Sequence, residues 1–500
     1  MVYQVTAAEM SGTERPMWLK WIVTGGLEVD IVGSVERIEF EMIDDVDSGV
    51  ASCPSPSGGK TLGGLLKGFK SWRTAGPRRI FCVTFCSFLG AMHGVGWGTH
   101  SESTEQRHAL AHISETNLPY VRSASQSRES NPNTYVPSQV VTMLFTPHPS
   151  LQDVPPGSTL LVTGVSGMIA IHIADEALKA GFRVVGTVRS ASKGLFASSL
   201  LATNPNSHNF SYAIVPDMAS PDAFDAAMQG VSAAIHCASI VNFSGIIDEV
   251  IKPTIKGTMN ILSAAMKNRD TVKSVVFTST SGAASGPKPG VKFHIGQETW
   301  NEEAVNVVKS TPPERQKEMG FEWGYVVYVV SKIEAERAAW DFVKKENPPF
   351  RVNVTNPAMN WGKVMGSMGI SGGQVLSVLD GKVPPIPSVY MADTIDDARI
   401  HIAAAVDGTV RNQRIFVCDE PFNWRLVIEA MQKVLPDAEL PPTVPDEPLD
   451  ISTVDNELGA ELLRKWWGQK GYKGLEQTVR ETLEMCLEKR NGVYNRRVAP

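Results

Sequence analysis

The sequence predicts an α/β fold: a doubly wound parallel sheet flanked by helices, followed by a smaller, mostly helical C-terminal lobe and preceded by a long, largely irregular extension. Two observations carry this. From Gly157 onward, short apolar β-type runs alternate with helical patterns: "STLLVTG", "AIHIADEALKAG", "FRVVGTVR", "DAFDAAMQG", "SAAIHCAS", "TMNILSAAMKN" and "VKSVVFTST". Alternation of this kind produces parallel strands covered by helices on both faces. In addition, small residues are spaced as a phosphate-binding turn between the first such strand and the first such helix. Right-handed crossovers then bring the strand C-termini to one edge, where ligands of these sheets bind.

The bulk properties narrow the function. Five hundred residues with 42% hydrophobic content fit two or three soluble domains. A formal net charge of -6 gives no basic surface for nucleic acid. Six scattered cysteines lack the paired spacing of zinc or redox sites and read as free thiols in a reducing, cytoplasmic setting. The start, "MVYQVTAAEMSGTERP", lacks the basic and apolar pattern of a secretory signal. Residues 1–156 show no sustained periodicity and are broken by "CPSPSGGK" and "SASQSRESNPNTYVPS", so they are expected to be poorly ordered. Within them "RRIFCVTFCSFLGAMHGVGWG" approaches bilayer length, but four glycines and a histidine argue against a spanning helix. Cys82 and Cys86 with His93 read as apolar filler rather than as a metal site.

In "LLVTGVSGMIAIHIADEAL" an apolar strand runs into Gly164 and Gly167, with Ala170 at the head of a helix. Gly164 permits a tight turn, Gly167 admits a pyrophosphate close to the backbone, Ala170 lets helix pack on strand, and the N–H groups of the first helical turn hold the anion. This is the dinucleotide loop of a Rossmann-type sheet; Thr163, Gly164, Ser166, Gly167, Met168 and Ile169 are its expected cofactor contacts. The second strand shows no acid between Phe182 and Gly194 for a ribose hydroxyl, and instead offers Arg189 and Lys193. Guanidinium and ammonium groups there suit a 2′-phosphate, so the expected cofactor is NADP(H).

The chemistry is expected at "GYVVYVVSKIEAERAAW". Tyr328 and Lys332 stand four residues apart and share a helix face, whereas Val329 follows Tyr325 at that spacing. A nearby ammonium favours the phenolate, bringing the phenol into range for proton transfer. Strand "VKSVVFTST" ends in Ser279, Thr280 and Ser281, hydroxyls placed to bind the same carbonyl oxygen. His236, at a strand end, is expected to pack rather than to act as a base, and Trp300, Trp323, Trp340 and Trp424 to be core or lobe contacts.

The segments "VTGVSGMIA", "GTVRSASK", "PDM", "HCAS", "IKPTIKGTMNIL", "VVFTST", "YVVSKIEAERAAW" and "YMADTIDDARIHIA" together resemble an extended short-chain dehydrogenase/reductase. The likeness is to the dihydroflavonol reductase-like branch, nearest the fungal NADPH-dependent aldehyde and methylglyoxal reductases. The resemblance implies a catalytic set of Thr280, Tyr328 and Lys332, with Lys332 also on the cofactor ribose. It further implies Asp217 and Met218 beside the adenine, Cys237, Ala238 and Ser239 along the cofactor, and Pro357, Met359 and Asn360 near the nicotinamide. This chain departs from the branch in having Thr280 where a serine is common, with Ser279 or Ser281 as fallback, and Ala170 for the third glycine. Residues 157–355, rejoined by 385–418, are expected to form the NADP-binding core and 356–500 the substrate lobe, in a monomer or homodimer with no obligate membrane contact. The expected reaction is reduction of a small-molecule carbonyl substrate. A nucleotide-sugar epimerase or dehydratase, a hydroxysteroid dehydrogenase, and a non-catalytic NADP-sensing protein are the alternatives.

Overall fold

The structure, a computed structural model, describes residues 145–366 and 369–497, and before them only five short strands. The chain divides into two compact units, Met1–Ser130 and Asn131–Pro500. In the first, Gln4–Thr6, Trp18–Val23 and Leu27–Val32 pair antiparallel, as do Glu41–Ile43 and Ile80–Cys82. Sequence periodicity gave no sign of these pairs. The rest of this unit, with Cys86 and His93, lies outside the described residues. Among the described residues no helix is long and apolar enough to cross a membrane.

The second unit is built on seven parallel strands: β1 (Thr159–Thr163), β2 (Arg183–Val188), β3 (Phe210–Ile214), β4 (Ala233–His236), β5 (Ser274–Thr278), β6 (Arg351–Pro357) and β7 (Arg414–Val417). Their order across the sheet is β3-β2-β1-β4-β5-β6-β7. The chain winds outward from β1, then returns to β4 on its other side. The helices leaving β1 and β4 therefore diverge, opening a crevice between those two strand ends. Register carries this across the sheet: Thr163 pairs with His236, Phe277 with His236, and Thr278 with Thr355. The predicted site segments at Gly164, Cys237 and Ser279 begin at the next residues along β1, β4 and β5.

Helices cover both faces. On one side lie α1 (Met168–Lys179), α6 (Thr394–Val406) and α8 (Glu457–Trp467), burying Ile171, Ile173, Leu178, Ile402 and Leu463 against the sheet; α2 (Ala191–Leu201) packs beside β2 and β3. On the other side α3 (Ile247–Lys267) and α4 (Phe321–Glu346) cover β4, β5 and β6 through Ile261, Leu262, Ala339 and Phe350. Helices α5 (Gly369–Leu379), α7 (Trp424–Val434) and α9 (Leu475–Arg497) build a separate lobe core around Trp361 and Phe422, and two short helices, Glu302–Ser310 and Pro313–Met319, precede α4.

Two boundaries differ from those read in the sequence. Residues 145–156 belong with the folded unit: Phe145 stacks on Trp466 at 5.4 Å, and Asp153 binds the fully buried Arg351 guanidinium. Periodicity cannot find such a segment, because its partners lie hundreds of residues away. The lobe also holds a small sheet, with Met359–Trp361 parallel to Val389–Asp393 and the latter antiparallel to Pro421–Phe422. Conversely, α8 packs on α6 against the main sheet and not in the lobe.

Candidate active site

A single cavity of about 1530 Å³ runs along the C-terminal edge of the sheet and gathers nearly every residue singled out in the sequence. At one end are Gly164, Ser166, Gly167, Met168 and Ile169. Gly164 has φ +68°, and a Cβ there would stand 3.1 Å from the Ala238 Cα. Only glycine takes this turn while leaving the 237–239 loop in place. A Cβ on Gly167 would lie 3.2 Å from the Gly164 carbonyl oxygen. Helix α1 begins at Met168, two residues before the expected head, and Gly167 caps it with no side chain. Its first N–H groups are thus left for an anion.

Thr163 is the exception among the predicted cofactor contacts. It is fully buried and does not line the cavity. Its hydroxyl accepts from the Ala238 amide at 3.0 Å and contacts His236 Nδ1 at 3.0 Å. A strand's last residue points to one face of the sheet, and here that face is the core, so Thr163 fixes the 237–239 loop from below. His236 is a packed residue as expected: burial, with the Lys332 charge, pulls its pKa down to about 3.

Arg189 and Lys193 are exposed at the cavity rim, and neither is ion-paired with a carboxylate among the described residues. Asp217 lines the cavity while capping its own turn, accepting from the Ala219 amide at 2.9 Å and the Ser220 hydroxyl at 3.0 Å. Met218, also lining, packs on α3 where Gly257 makes room: a Cβ there would meet its Sδ at 3.0 Å. Cys237, Ala238 and Ser239 follow β4 along the cavity, and Pro357 ends β6 with Met359 and Asn360 just beyond it. The Cys237 thiol accepts from Thr278 Oγ1 at 3.0 Å, and burial pushes it up to about 12, so it stays protonated. Ser239 Oγ and Asn360 Oδ1 are buried without a hydrogen-bond partner, yet both residues line the cavity. Unpaired buried polar atoms are costly. Two such atoms beside an uncapped helix, a glycine cradle and two free cations fit a phosphorylated dinucleotide.

The chemical end is built on α4. Tyr328, Lys332 and Glu336 lie on three successive turns of one face. Lys332 is buried, and its ammonium donates to the Thr278 carbonyl at 2.8 Å. Desolvation lowers its pKa to about 8, opposed by Cys237 and Glu336. The Tyr328 ring packs edge-on against Phe243 at 5.3 Å, with Tyr325 at 6.4 Å. Phe243 reaches it from a left-handed backbone position, φ 48°, over Gly324, where any Cβ would collide with the Phe243 carbonyl oxygen. The sequence reading had Lys332 drawing the phenol pKa down. The cleft shows the opposite: burial, then Tyr325, pushes the Tyr328 phenol well above its ordinary range. The physical reason is that removal from water, with Tyr325 alongside, disfavours the phenolate.

The three hydroxyls after β5 separate cleanly. Ser279 is buried and donates to Glu336 Oε2 at 2.7 Å, so its hydroxyl is not available as the fallback. Thr280 lines the cavity and makes only a 3.3 Å contact from the Gly282 amide; Ser281 lines it as well. Sequence reasoning missed the Phe243, Phe321 and Tyr325 wall, which depends on a distant loop. It also missed Glu336, although its spacing of four from Lys332 was legible. Of the tryptophans, Trp323 and Trp424 are buried, and Trp300 is stacked on Arg414 at 4.2 Å.

Comparison with known proteins agrees with this geometry. Residues 161–319 match the model of the 3-beta hydroxysteroid dehydrogenase/isomerase family. Aldehyde reductase 2 of Sporidiobolus salmonicolor is 32% identical over 337 residues, which span 65% of this chain and 95% of that protein. A putative NADPH-dependent methylglyoxal reductase of Candida albicans is 32% identical over 333 residues, covering 61% of this chain and 93% of the relative. Among solved structures, Gre2 from Candida albicans in complex with NADPH superposes with a TM-score of 0.57 at 28% identity, over 66% of this chain and 99% of that one. The chain therefore belongs to the extended short-chain dehydrogenases/reductases, in the group holding these fungal aldehyde and methylglyoxal reductases, and is an oxidoreductase.

Proposed function

We propose that the protein is an NADPH-dependent carbonyl reductase in which Tyr328 is the proton donor. The observation that carries this reading is that Tyr328, Lys332 and Thr280 share one cavity with the glycine cradle and with two unpaired cations at the far end. Arg189 and Lys193 hold the 2′-phosphate, Gly164, Gly167 and the start of α1 the pyrophosphate, and Ser239 and Asn360 satisfy their buried oxygens on the cofactor. When bound, NADPH supplies a hydride to the substrate carbonyl carbon. Thr280 donates to the carbonyl oxygen and fixes its direction, and the Tyr328 hydroxyl gives that oxygen its proton. A phenol held neutral is the correct form for this direction of reaction. The Lys332 ammonium then stabilises the phenolate left behind, which regains its proton from solvent.

The same cavity constrains the substrate. Its charged lining side chains are Arg189, Lys193, Asp217, Glu303, Glu322, Lys332 and Asp450. Apart from Lys332, no cation among the described residues stands at the chemical end, where Ile240, Val241, Phe243, Phe321 and Tyr325 form the wall. This favours an uncharged, largely apolar carbonyl compound. A nucleotide-sugar would leave its diphosphate without a positive partner, which weighs against the epimerase and dehydratase reading. NADPH oxidation, followed by absorbance with a panel of neutral aldehydes, diketones and aryl ketones, tests the proposal. Consumption with several of them is expected; tight NADPH binding with no consumption by any would replace the reductase with a sensor.

A further inference from the structure

We propose that Glu336 is a positioning residue for this site: its carboxylate locks the Ser279–Thr280 strand end onto α4 and keeps a negative charge one helical turn from Lys332. The inference rests on the reductase reading for its kinetic consequence, while the contacts stand by themselves. Glu336 is buried, and both of its oxygens are committed. Oε2 accepts from Ser279 Oγ at 2.7 Å and from Asn356 Nδ2 at 3.1 Å; Oε1 accepts from Arg414 Nε at 2.6 Å and Trp340 Nε1 at 3.4 Å. Asn356 Nδ2 also donates to the Thr280 carbonyl at 3.2 Å. Arg414 in turn is held by the Gln297 and Thr299 carbonyls at 2.8 and 2.7 Å, under Trp300. One carboxylate thus ties the ends of β5, β6 and β7 to the helix that carries Tyr328 and Lys332.

Its charge is the second half of the argument. The groups around the Lys332 ammonium are the Thr278 carbonyl from β5, His236 and Cys237 from β4 and its loop, and Tyr328 and Glu336 from α4 itself; His401 and Asp397 stand behind Thr278 from α6. His236 is neutral near pH 7, and the Cys237 thiol is protonated. Within α4 and the β4 segment, Glu336 is the carboxylate nearest in sequence to this desolvated lysine, with its charge shared by the Arg414 guanidinium on Oε1. No Lys332–Glu336 ion pair forms among the described residues; the two groups share one helix face at i,i+4 spacing, in a buried setting where charge is less screened than on a surface.

Glu336→Gln alone strands the buried Arg414 cation and risks unfolding, so it is tested beside the double variant with Arg414→Met, which removes the opposing charge as well. Both full-length variants are compared with the wild type by the pH profile of kcat/KM, and by direct titration of Lys332 in protein carrying 13C-labelled lysine, with Lys332→Arg for assignment. In Glu336→Gln the alkaline limb and the Lys332 titration are both expected to move down by about one pH unit, and by less in the double variant, with NADPH affinity at pH 6 retained. A uniform loss of rate at every pH, or an unmoved Lys332 titration, would reduce Glu336 to a scaffold residue and overturn the proposal. Absence of wild-type turnover would sink the reductase reading separately, leaving the Lys332 titration to decide the role of Glu336.

Discussion

Replacing Arg189 and Lys193 together with alanine should convert a strong preference for NADPH over NADH into a weak one. Both side chains stand exposed at the rim of the cavity without carboxylate partners among the described residues, so their charge is not already spent there. A unit charge 4 Å from another is worth about 1 kcal/mol in water and about 4 kcal/mol at the effective dielectric of a protein surface. Exposure and salt place these two cations toward the lower end, about 1 to 2 kcal/mol each against a phosphate. The pair then contributes about 2 to 4 kcal/mol, or roughly 30- to 1000-fold in preference. Arg189 should carry the larger part, since its planar fork makes two parallel bonds to a phosphate. Binding of NADPH and NADH by fluorescence titration, and kcat/KM with each, measure the ratio directly. An equal loss for both cofactors would mean that the two cations act only as a general field. An unchanged ratio would show that the 2′-phosphate lies elsewhere, and the cofactor assignment would fall.

Three further outcomes follow from the site. Tyr328→Phe should lower kcat by about 10²- to 10⁴-fold while NADPH affinity and Tm stay unchanged, because the hydroxyl has no hydrogen-bond partner among the described residues; retained turnover would remove Tyr328 from the chemistry. Ser279→Ala should cost about 1 to 3 kcal/mol of stability by denaturant titration, since it leaves Glu336 short of a buried donor, whereas Thr280→Val should cost turnover with little change in stability; the reverse pattern would exchange their roles. The rate of reduction should fall as pH rises through the Lys332 value of about 8: the ammonium is the working form, so activity is full below that pH and drops about tenfold for each unit above it. A rate that is flat to pH 10 would show that the Lys332 charge is not needed.

Much of the candidate site was legible because it is local. The G-x-x-G-x-x-A turn, the lack of an acid after β2 and the four-residue step from Tyr328 to Lys332 each depend on backbone geometry within a few residues. Helix periodicity alone puts the phenol and the ammonium on one face. The alternation of strands and helices likewise implies a parallel sheet with its ligand at the C-terminal edge. The two paired sets of strands near the N-terminus and the folded segment 145–156 were not legible, since short runs without periodicity are specified by what they meet. Asp153 finds Arg351, and Phe145 finds Trp466, across distances in the chain that no window spans.

By itself, then, the sequence determined the type of sheet, the spacing of the glycine turn and the placing of Tyr328 and Lys332 on one helix face, because these are set by spacing along one strand or helix. Only the tertiary structure decided which neighbouring hydroxyl is spent and which is free, that Thr163 turns inward, and that Glu336 joins three strand ends to α4. It also decided the protonation preference of Tyr328. Hydrogen-bond partners and desolvation are properties of the packed neighbourhood, and that neighbourhood is assembled from segments as far apart as Phe243, Gly324 and Arg414.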